Sequence, residues 1–149
     1  MRILLIEDNV HKMRHIVNQV HQLQPNAEIV EAKSYSDGLR HVMSGTFDFL
    51  LLDMSLPTFN ITQEEDGYQV DPYSGRNILA EMKRKHVQVK TAVITMFETF
   101  GEGTDLMTLD ELDQELRQEY PDNYCTAIYY NSSEVNWKEA LKHLLEPHA

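Results

Sequence analysis

Two short runs of apolar residues in this chain each end in carboxylate side chains. The run at residues 3–6 is followed directly by Glu7 and Asp8, and the run at residues 49–52 is followed by Asp53. Short apolar runs without alternation are typical of strands buried on both faces of a parallel sheet. Sites in such sheets lie outside the carboxyl ends of the strands. If the two strands are neighbours, three carboxylates meet at one edge of the sheet.

Three negative charges gathered at one edge of the sheet would repel one another strongly unless a hard cation lay among them. The cluster therefore predicts a cation site formed by Glu7, Asp8 and Asp53. Two alternatives remain open. The first two carboxylates could flank the N-terminus of a helix, where the helix dipole favours negative charge. Asp53 could be an ordinary turn residue.

Strand and helix patterns alternate along the whole chain. The strands are predicted at residues 2–7, 27–32, 47–52, 91–96 and 125–130. Apolar residues at helical spacing, with capping residues, predict helices at about 10–23, 34–43, 74–82, 108–116 and 134–145. Five strand–helix units in alternation imply an α/β fold with a parallel sheet and helices on both of its faces.

Length, charge and cysteine content narrow the class of protein. The 149 residues suit one domain, and the net charge of -11 disfavours direct binding to nucleic acid or anionic membranes. The single cysteine, Cys125, rules out a disulfide within the chain. Because no signal peptide and no apolar run of membrane-spanning length is found, we expect a cytoplasmic location.

Two stretches interrupt the alternation. Residues 57–74 contain two prolines, a glycine and several acidic and amide side chains, and residues 97–107 contain Gly101 and Gly103. Both are predicted to be inserted loops, the second one flexible, and loops of such length are usually functional or disordered. Ser74 is the predicted cap of the third helix. We expect one domain over residues 1–149, with no output domain. Acidic side chains in the first loop could extend the cation site: Glu64, Glu65 and Asp66.

Over its whole length the chain resembles the receiver domain of bacterial two-component response regulators. The matching pieces are ILLIEDN at 3–9, LLLDMSLP at 50–57, Gly75 at the start of the third helix, and AVIT at 92–95. The resemblance implies a flavodoxin-like (βα)5 sandwich with strand order 2-1-3-4-5. It also implies that the protein is a signalling domain and not an enzyme. The only reactions of such a domain are its own phosphorylation and dephosphorylation.

The resemblance assigns a role to each candidate site residue. Asp53 would accept a phosphoryl group from a sensor histidine kinase or a histidine phosphotransfer protein. Glu7, Asp8 and Asp53, with the backbone carbonyl of Ser55, would hold Mg²⁺. Thr95 would be the switch residue, whose hydroxyl binds the new phosphoryl oxygens, although it could also be an ordinary strand threonine.

Two positions depart from the family pattern. The lysine expected at the end of the fifth strand is replaced by Tyr130, and the aromatic switch position is Ala127. Tyrosine can donate a hydrogen bond but brings no positive charge at neutral pH. Tyr130 is therefore either a packing residue or a partial substitute in the site. His11 and His15 are predicted to lie on a solvated helix face.

These residues favour one of three functions over the other two. The leading hypothesis is a stand-alone receiver that switches a protein-interaction surface on strand four, helix four and strand five, where a homodimer could also form. The alternative is a phosphorylation-independent pseudo-receiver that acts as a protein-binding module. An aspartate-nucleophile phosphatase is disfavoured because Ser55, not a second aspartate, lies two positions beyond Asp53.

Overall fold

A five-stranded parallel sheet forms the centre of the protein. The computed structural model describes residues 1–60 and 70–146. The strands are β1 (Arg2–Ile6), β2 (Glu28–Ala32), β3 (Phe49–Leu52), β4 (Lys90–Thr95) and β5 (Tyr124–Tyr129). They lie side by side in the order β2-β1-β3-β4-β5, so the predicted flavodoxin-like topology is confirmed.

Five helices follow the strands and cover both faces of the sheet. They are α1 (Val10–Leu23), α2 (Tyr35–Ser44), α3 (Ser74–Arg84), α4 (Leu109–Glu119) and α5 (Asn136–Leu145). Alternate side chains of β1 point to opposite faces. Leu4 and Ile6 join the core under α2, α3 and α4, whereas Ile3 and Leu5 join the core under α1 and α5. None of the helices described is long and apolar enough to cross a membrane.

The register between β1 and β3 places the candidate site. Ile6 pairs with Leu52, the last residue of each strand, so the two strands end at the same level. The amide of Asp53 continues the pairing by donating to the carbonyl of Ile6 at 3.0 Å. The residues that follow the two strands, Glu7 and Asp53, are therefore brought together by the backbone of the sheet.

The segment 97–107 contains regular structure, which the sequence analysis did not predict. Thr99–Phe100 pairs antiparallel with Met107–Thr108, and a short 3-10 helix at Gly103–Asp105 lies between them. Gly101 and Gly103 have φ angles of 79° and 58°, in the left-handed region that glycine tolerates. Phe100, 3% exposed, anchors this segment in the core.

The boundaries of the first insertion are also held by pairing. Leu56–Pro57 pairs antiparallel with Val70–Asp71, which closes the insertion at its base. The predicted acidic contribution of Glu64, Glu65 and Asp66 lies outside the described residues.

Two predicted helix starts have different outcomes. The helix predicted from about residue 108 is α4, and its N-terminus is held by a capping box in which Thr108 and Glu111 form both hydrogen bonds. The prediction that Ser74 caps α3 is wrong, because Ser74 is the first residue of the helix and Tyr73 takes the cap position. The Ser74 hydroxyl instead contacts the carbonyls of Leu56 and Asp71, both at 2.9 Å, and so ties α3 to the base of the insertion.

Candidate functional site

Three carboxylates converge at the carboxyl end of the sheet. One oxygen from each of Glu7, Asp8 and Asp53 lies within 4.8 Å of the others. Glu7 and Asp53 are 1% and 5% exposed, while Asp8 is half-buried at the mouth of the cluster. The amide of Asn9 donates to Glu7 Oε2 at 3.0 Å, and the amide of Met54 donates to Asp53 Oδ1 at 2.8 Å. These backbone contacts orient two of the three acids.

Burial and mutual repulsion make the charged forms of the three carboxylates costly. Burial, followed by the charge of Asp53, raises the pKa of Glu7. Burial also raises the pKa of Asp53, against the opposing effect of Lys12. Burial and the neighbouring charge of Glu7 raise the pKa of Asp8 to about 6. All three shifts have the sign expected when desolvated carboxylates share one site.

The donor set fits a hard divalent cation. Mg²⁺ prefers oxygen ligands and is usually held by a small number of carboxylates with waters and phosphate oxygens. The three carboxylates supply such oxygens within 4.8 Å of one another. The Ser55 hydroxyl lies 3.4 Å from the carbonyl of Pro72, and the Ser55 carbonyl remains a predicted ligand.

A fourth charged residue, which the sequence analysis missed, lies in the middle of the cluster. Lys12 extends from the first turn of α1 and is 1% exposed. Its ammonium group forms an ion pair with Glu7, lies 3.4 Å from Asp53 Oδ1, and donates to the carbonyl of Ile94 at 2.6 Å. The ammonium thus donates one hydrogen bond to a carbonyl and lies between two carboxylates. The site therefore has its own buried cation.

The sequence carries a signal that could have identified Lys12. The inward-facing stripe of α1 includes Lys12, Ile16 and Val20, at four-residue spacing. Val10, the first residue of the helix, is 55% exposed and lies outside this stripe. A lysine in the first turn also opposes the helix dipole, and α1 has no acid in that turn to offset it. A lysine at an inward position and an unfavourable helix end indicates that acidic partners lie elsewhere in the fold.

Thr95 lies at the end of β4, beside the lysine contact. It is fully buried, and its Oγ1 accepts a hydrogen bond from the amide of Phe97 at 3.1 Å. The preceding residue, Ile94, supplies the carbonyl that Lys12 binds. Ala127, at the predicted switch position of β5, is half-buried against the core.

Tyr130, the predicted position of the missing lysine, packs beside the site. It is 4% exposed, and its ring centroid lies 5.0 Å from that of Trp137 and 5.9 Å from Lys12 Nζ. Its hydroxyl and His15 Nδ1 form a 2.6 Å hydrogen bond. His15 is exposed as predicted, but it is not merely solvated. Among the described residues, we find no hydrogen bond from the tyrosine hydroxyl to the carboxylates.

Comparison with known proteins agrees with this architecture. The chain is 32% identical over 144 residues to the uncharacterised protein y4jR of Sinorhizobium fredii (strain NBRC 101917 / NGR234), covering 95% of both chains. It is 26% identical over 144 residues to the Detocs response regulatory protein DtcB of Enterobacter cloacae (strain JD6301), again covering 95% of both. No protein-family model matches the chain.

Two solved structures of response-regulator proteins share this fold. A CheY-like receiver domain protein from Methanospirillum hungatei superimposes with a TM-score of 0.61 at 17% identity, over 98% of this chain and 91% of that one. The response regulator TrrA of Thermotoga maritima, solved in complex with Mg²⁺-BeF, gives 0.57 at 19% identity, over 97% and 98%.

A parallel sheet in this order, with an acidic cluster at its carboxyl edge, defines the receiver class of signalling domains. The chain belongs to the response-regulator receiver family.

Proposed function

We propose that this protein is a stand-alone receiver that accepts a phosphoryl group on Asp53 with the help of Mg²⁺. The observation that carries the proposal is the convergence of Asp53 with Glu7 and Asp8 at the carboxyl edge of the sheet. The stand-alone role is supported by length, because the chain covers 95% of both y4jR and the Enterobacter DtcB. The phosphoryl donor would be a phosphohistidine on a sensor kinase or a phosphotransfer protein.

The transfer needs little covalent chemistry from the protein. A carboxylate oxygen of Asp53 forms a bond to phosphorus while the P–N bond of the phosphohistidine breaks, and its electron pair stays on the histidine nitrogen. The amide of Met54, donating to Asp53 Oδ1 at 2.8 Å, holds the nucleophile in one orientation. When bound by Glu7, Asp8, Asp53 and the Ser55 carbonyl, Mg²⁺ would neutralise charge on the transferring group.

The output would be a change at the end of β4. Thr95 Oγ1 now accepts from the amide of Phe97. Turning this hydroxyl toward a phosphoryl oxygen would break that hydrogen bond and move the segment that follows β4. Met96 and Phe97 are 37% and 46% exposed, so such a movement alters an apolar surface beside α4 and β5. A change in local charge is thereby converted into a change of protein-interaction surface.

A mass measurement tests the proposal. The protein is incubated with Mg²⁺ and acetyl phosphate, and intact mass is recorded for the wild type and for Asp53→Asn. We expect the wild type to gain one phosphoryl group in a Mg²⁺-dependent manner and the variant to gain none. Trp137, the only tryptophan, packs on Tyr130 and so reports binding of beryllofluoride by fluorescence.

The alternative, a phosphorylation-independent pseudo-receiver, predicts the opposite results. Neither a mass gain nor a Trp137 response would be seen across millimolar Mg²⁺ and saturating beryllofluoride. That outcome would overturn the proposed function and leave a protein-binding module with a fixed surface.

A further inference from the structure

We propose that Lys12 is the cation that binds the phosphoryl group on Asp53, in the role left empty by Tyr130. This inference rests on the proposed function, because it concerns the phosphorylated state of the same site. It assigns a binding residue to α1, an element from which the sequence analysis took no site residue.

Lys12 supplies the positive charge that makes the metal-bound site neutral. Three carboxylates and one divalent cation leave a net charge of minus one, before a phosphoryl group adds more. Within residues 1–60 and 70–146, Lys12 is the basic side chain that forms ion pairs with the cluster, through Glu7 and Asp53. With Lys12 included, the metal-bound site is neutral. A neutral site accepts an anionic phosphoryl group at a lower electrostatic cost than an anionic one.

The Lys12 ammonium also lies close enough to Asp53 to reach a phosphoryl group on it. Lys12 Nζ lies 3.4 Å from Asp53 Oδ1, which is longer than a charge-assisted hydrogen bond of about 2.7–2.9 Å. The ammonium is therefore near the phosphoacceptor without being locked to it. Phosphoryl oxygens on Asp53 lie within two bonds of a carboxylate oxygen, so a small rotation of the lysine side chain suffices to meet them.

Lys12 is anchored to the end of β4 by a hydrogen bond. The carbonyl of Ile94 accepts from Lys12 Nζ at 2.6 Å, and Ile94 directly precedes Thr95. The lysine thus ties α1 to the end of β4, the place where the proposed switch acts. If Nζ moves toward a phosphoryl group, its contact with Ile94 changes at the same time. Lys12 would then couple the phosphoryl group to β4 independently of the Thr95 hydroxyl.

Tyr130 lies beside the Lys12 ammonium without competing for its charge. The ring of Tyr130 lies 5.9 Å from Lys12 Nζ, within the range of a cation–π contact. Its hydroxyl is engaged with His15. The Tyr130 ring therefore lies between the ammonium and α5, whereas the positive charge itself comes from α1.

Ligand binding separates a phosphoryl-binding lysine from a merely structural one. Affinities for Mg²⁺ alone, and for beryllofluoride in saturating Mg²⁺, are measured by Trp137 fluorescence in the wild type, Lys12→Met and Arg14→Met. Arg14 is the matched control, because it is an exposed cation on the same helix. We expect Lys12→Met to bind Mg²⁺ as well as the wild type or better, since a competing cation is removed. Its affinity for beryllofluoride should fall on the order of tenfold to a hundredfold.

The other results are decisive in different ways. Unchanged beryllofluoride affinity in Lys12→Met overturns the inference, and so does a parallel loss of both affinities, which indicates a structural role. If the wild type binds no beryllofluoride at all, the proposed function fails. Lys12→Met/Tyr130→Lys, which returns a cation from β5, should recover part of the lost affinity; the absence of any recovery would contradict a role set by charge.

A structural measurement covers the case in which Lys12→Met does not fold. In a crystal structure of the wild type with Mg²⁺ and beryllofluoride, we expect Lys12 Nζ within about 3.2 Å of a fluorine atom. An ammonium that keeps only its carboxylate and carbonyl contacts in that complex would exclude the inference.

Discussion

The ring of Tyr130 and the ammonium of Lys12 lie 5.9 Å apart, although they come from elements at opposite ends of the chain. The tyrosine directly follows β5, at the position where the resemblance to receivers predicts a lysine, and Lys12 extends from α1. An aromatic residue at a position that usually carries charge would suggest a lost function if the sequence were considered alone. The pair shows instead that the acidic cluster has a cation of its own, supplied by α1.

Removing Lys12 should destabilise the protein in a pH-dependent way. In Lys12→Met, buried carboxylates lose their counter-ion, and breaking a buried pair typically costs about 3–5 kcal/mol. The charge of Lys12 opposes the upward pKa shifts of Glu7 and Asp53, so in its absence both acids protonate more readily. We expect the loss of unfolding free energy, measured with urea, to be larger at pH 8 than at pH 5. An equal loss at both values would contradict this account, and Arg14→Met should change stability by less than about 0.5 kcal/mol.

Asp8 should make the metal-free protein less stable as pH rises. Burial raises its pKa from 3.8 to about 6, so the folded protein binds more protons than the unfolded chain between these values. The stabilising contribution of the protonated form is fully present below pH 3.8 and is lost as pH rises through about 6. In Asp8→Asn this component of the pH profile should disappear, as measured by thermal unfolding without metal. A profile identical to that of the wild type would show that Asp8 is not the group responsible.

Metal binding should show the opposite pH dependence. Mg²⁺ must displace the proton from Asp8, so its affinity should fall roughly tenfold for each pH unit below pH 6. Titration of Trp137 fluorescence with Mg²⁺ between pH 5 and 8 measures this. Affinity that is independent of pH over this range would mean that Asp8 is not a ligand.

A methyl group at Gly75 should disturb the backbone of Asp53. A Cβ at this position would lie 2.8 Å from the carbonyl oxygen of Asp53 and 3.1 Å from Met54 Cα, both backbone atoms. Gly75→Ala should therefore cost about 1–3 kcal/mol of stability and weaken Mg²⁺ binding, because the backbone of Asp53 must shift. Gly103→Ala is the control, since its Cβ meets nothing within 4 Å and only the φ of 58° is strained. Its Mg²⁺ affinity should match the wild type; equal effects of the two variants on Mg²⁺ affinity would refute the steric explanation.

The hydroxyl of Tyr130 should matter for stability and not for phosphorylation. Tyr130→Phe removes the 2.6 Å hydrogen bond to His15 and keeps the ring, so we expect a loss of about 0.5–1.5 kcal/mol. Phosphorylation of Asp53 by acetyl phosphate, followed by intact mass, should proceed at the wild-type rate. A slower reaction in Tyr130→Phe would show that the hydroxyl substitutes for the missing lysine.

Much of the fold was predictable because burial and strand periodicity are local properties. The runs at residues 3–6 and 49–52 are apolar on both sides, so their place in the centre of a parallel sheet follows from composition. The convergence of Glu7 with Asp53 then follows from the shared carboxyl edge. The pairing of Thr99–Phe100 with Met107–Thr108 was not predicted, because two-residue strands show no periodicity and depend on the anchoring of Phe100.

The sequence by itself determined where the strands end, and so which carboxylates lie at the carboxyl edge of the sheet. Their convergence also required β1 and β3 to be neighbours, which the tertiary structure decided. Only the tertiary structure decided that Lys12 faces inward among them and that Tyr130 stands beside it instead of replacing a charge. The physical reason is that strand order and register bring backbone ends together, whereas the rotation of α1 on the sheet selects which of its side chains reaches the cluster. That rotation results from packing across the whole face under α1 and α5, which no local pattern contains.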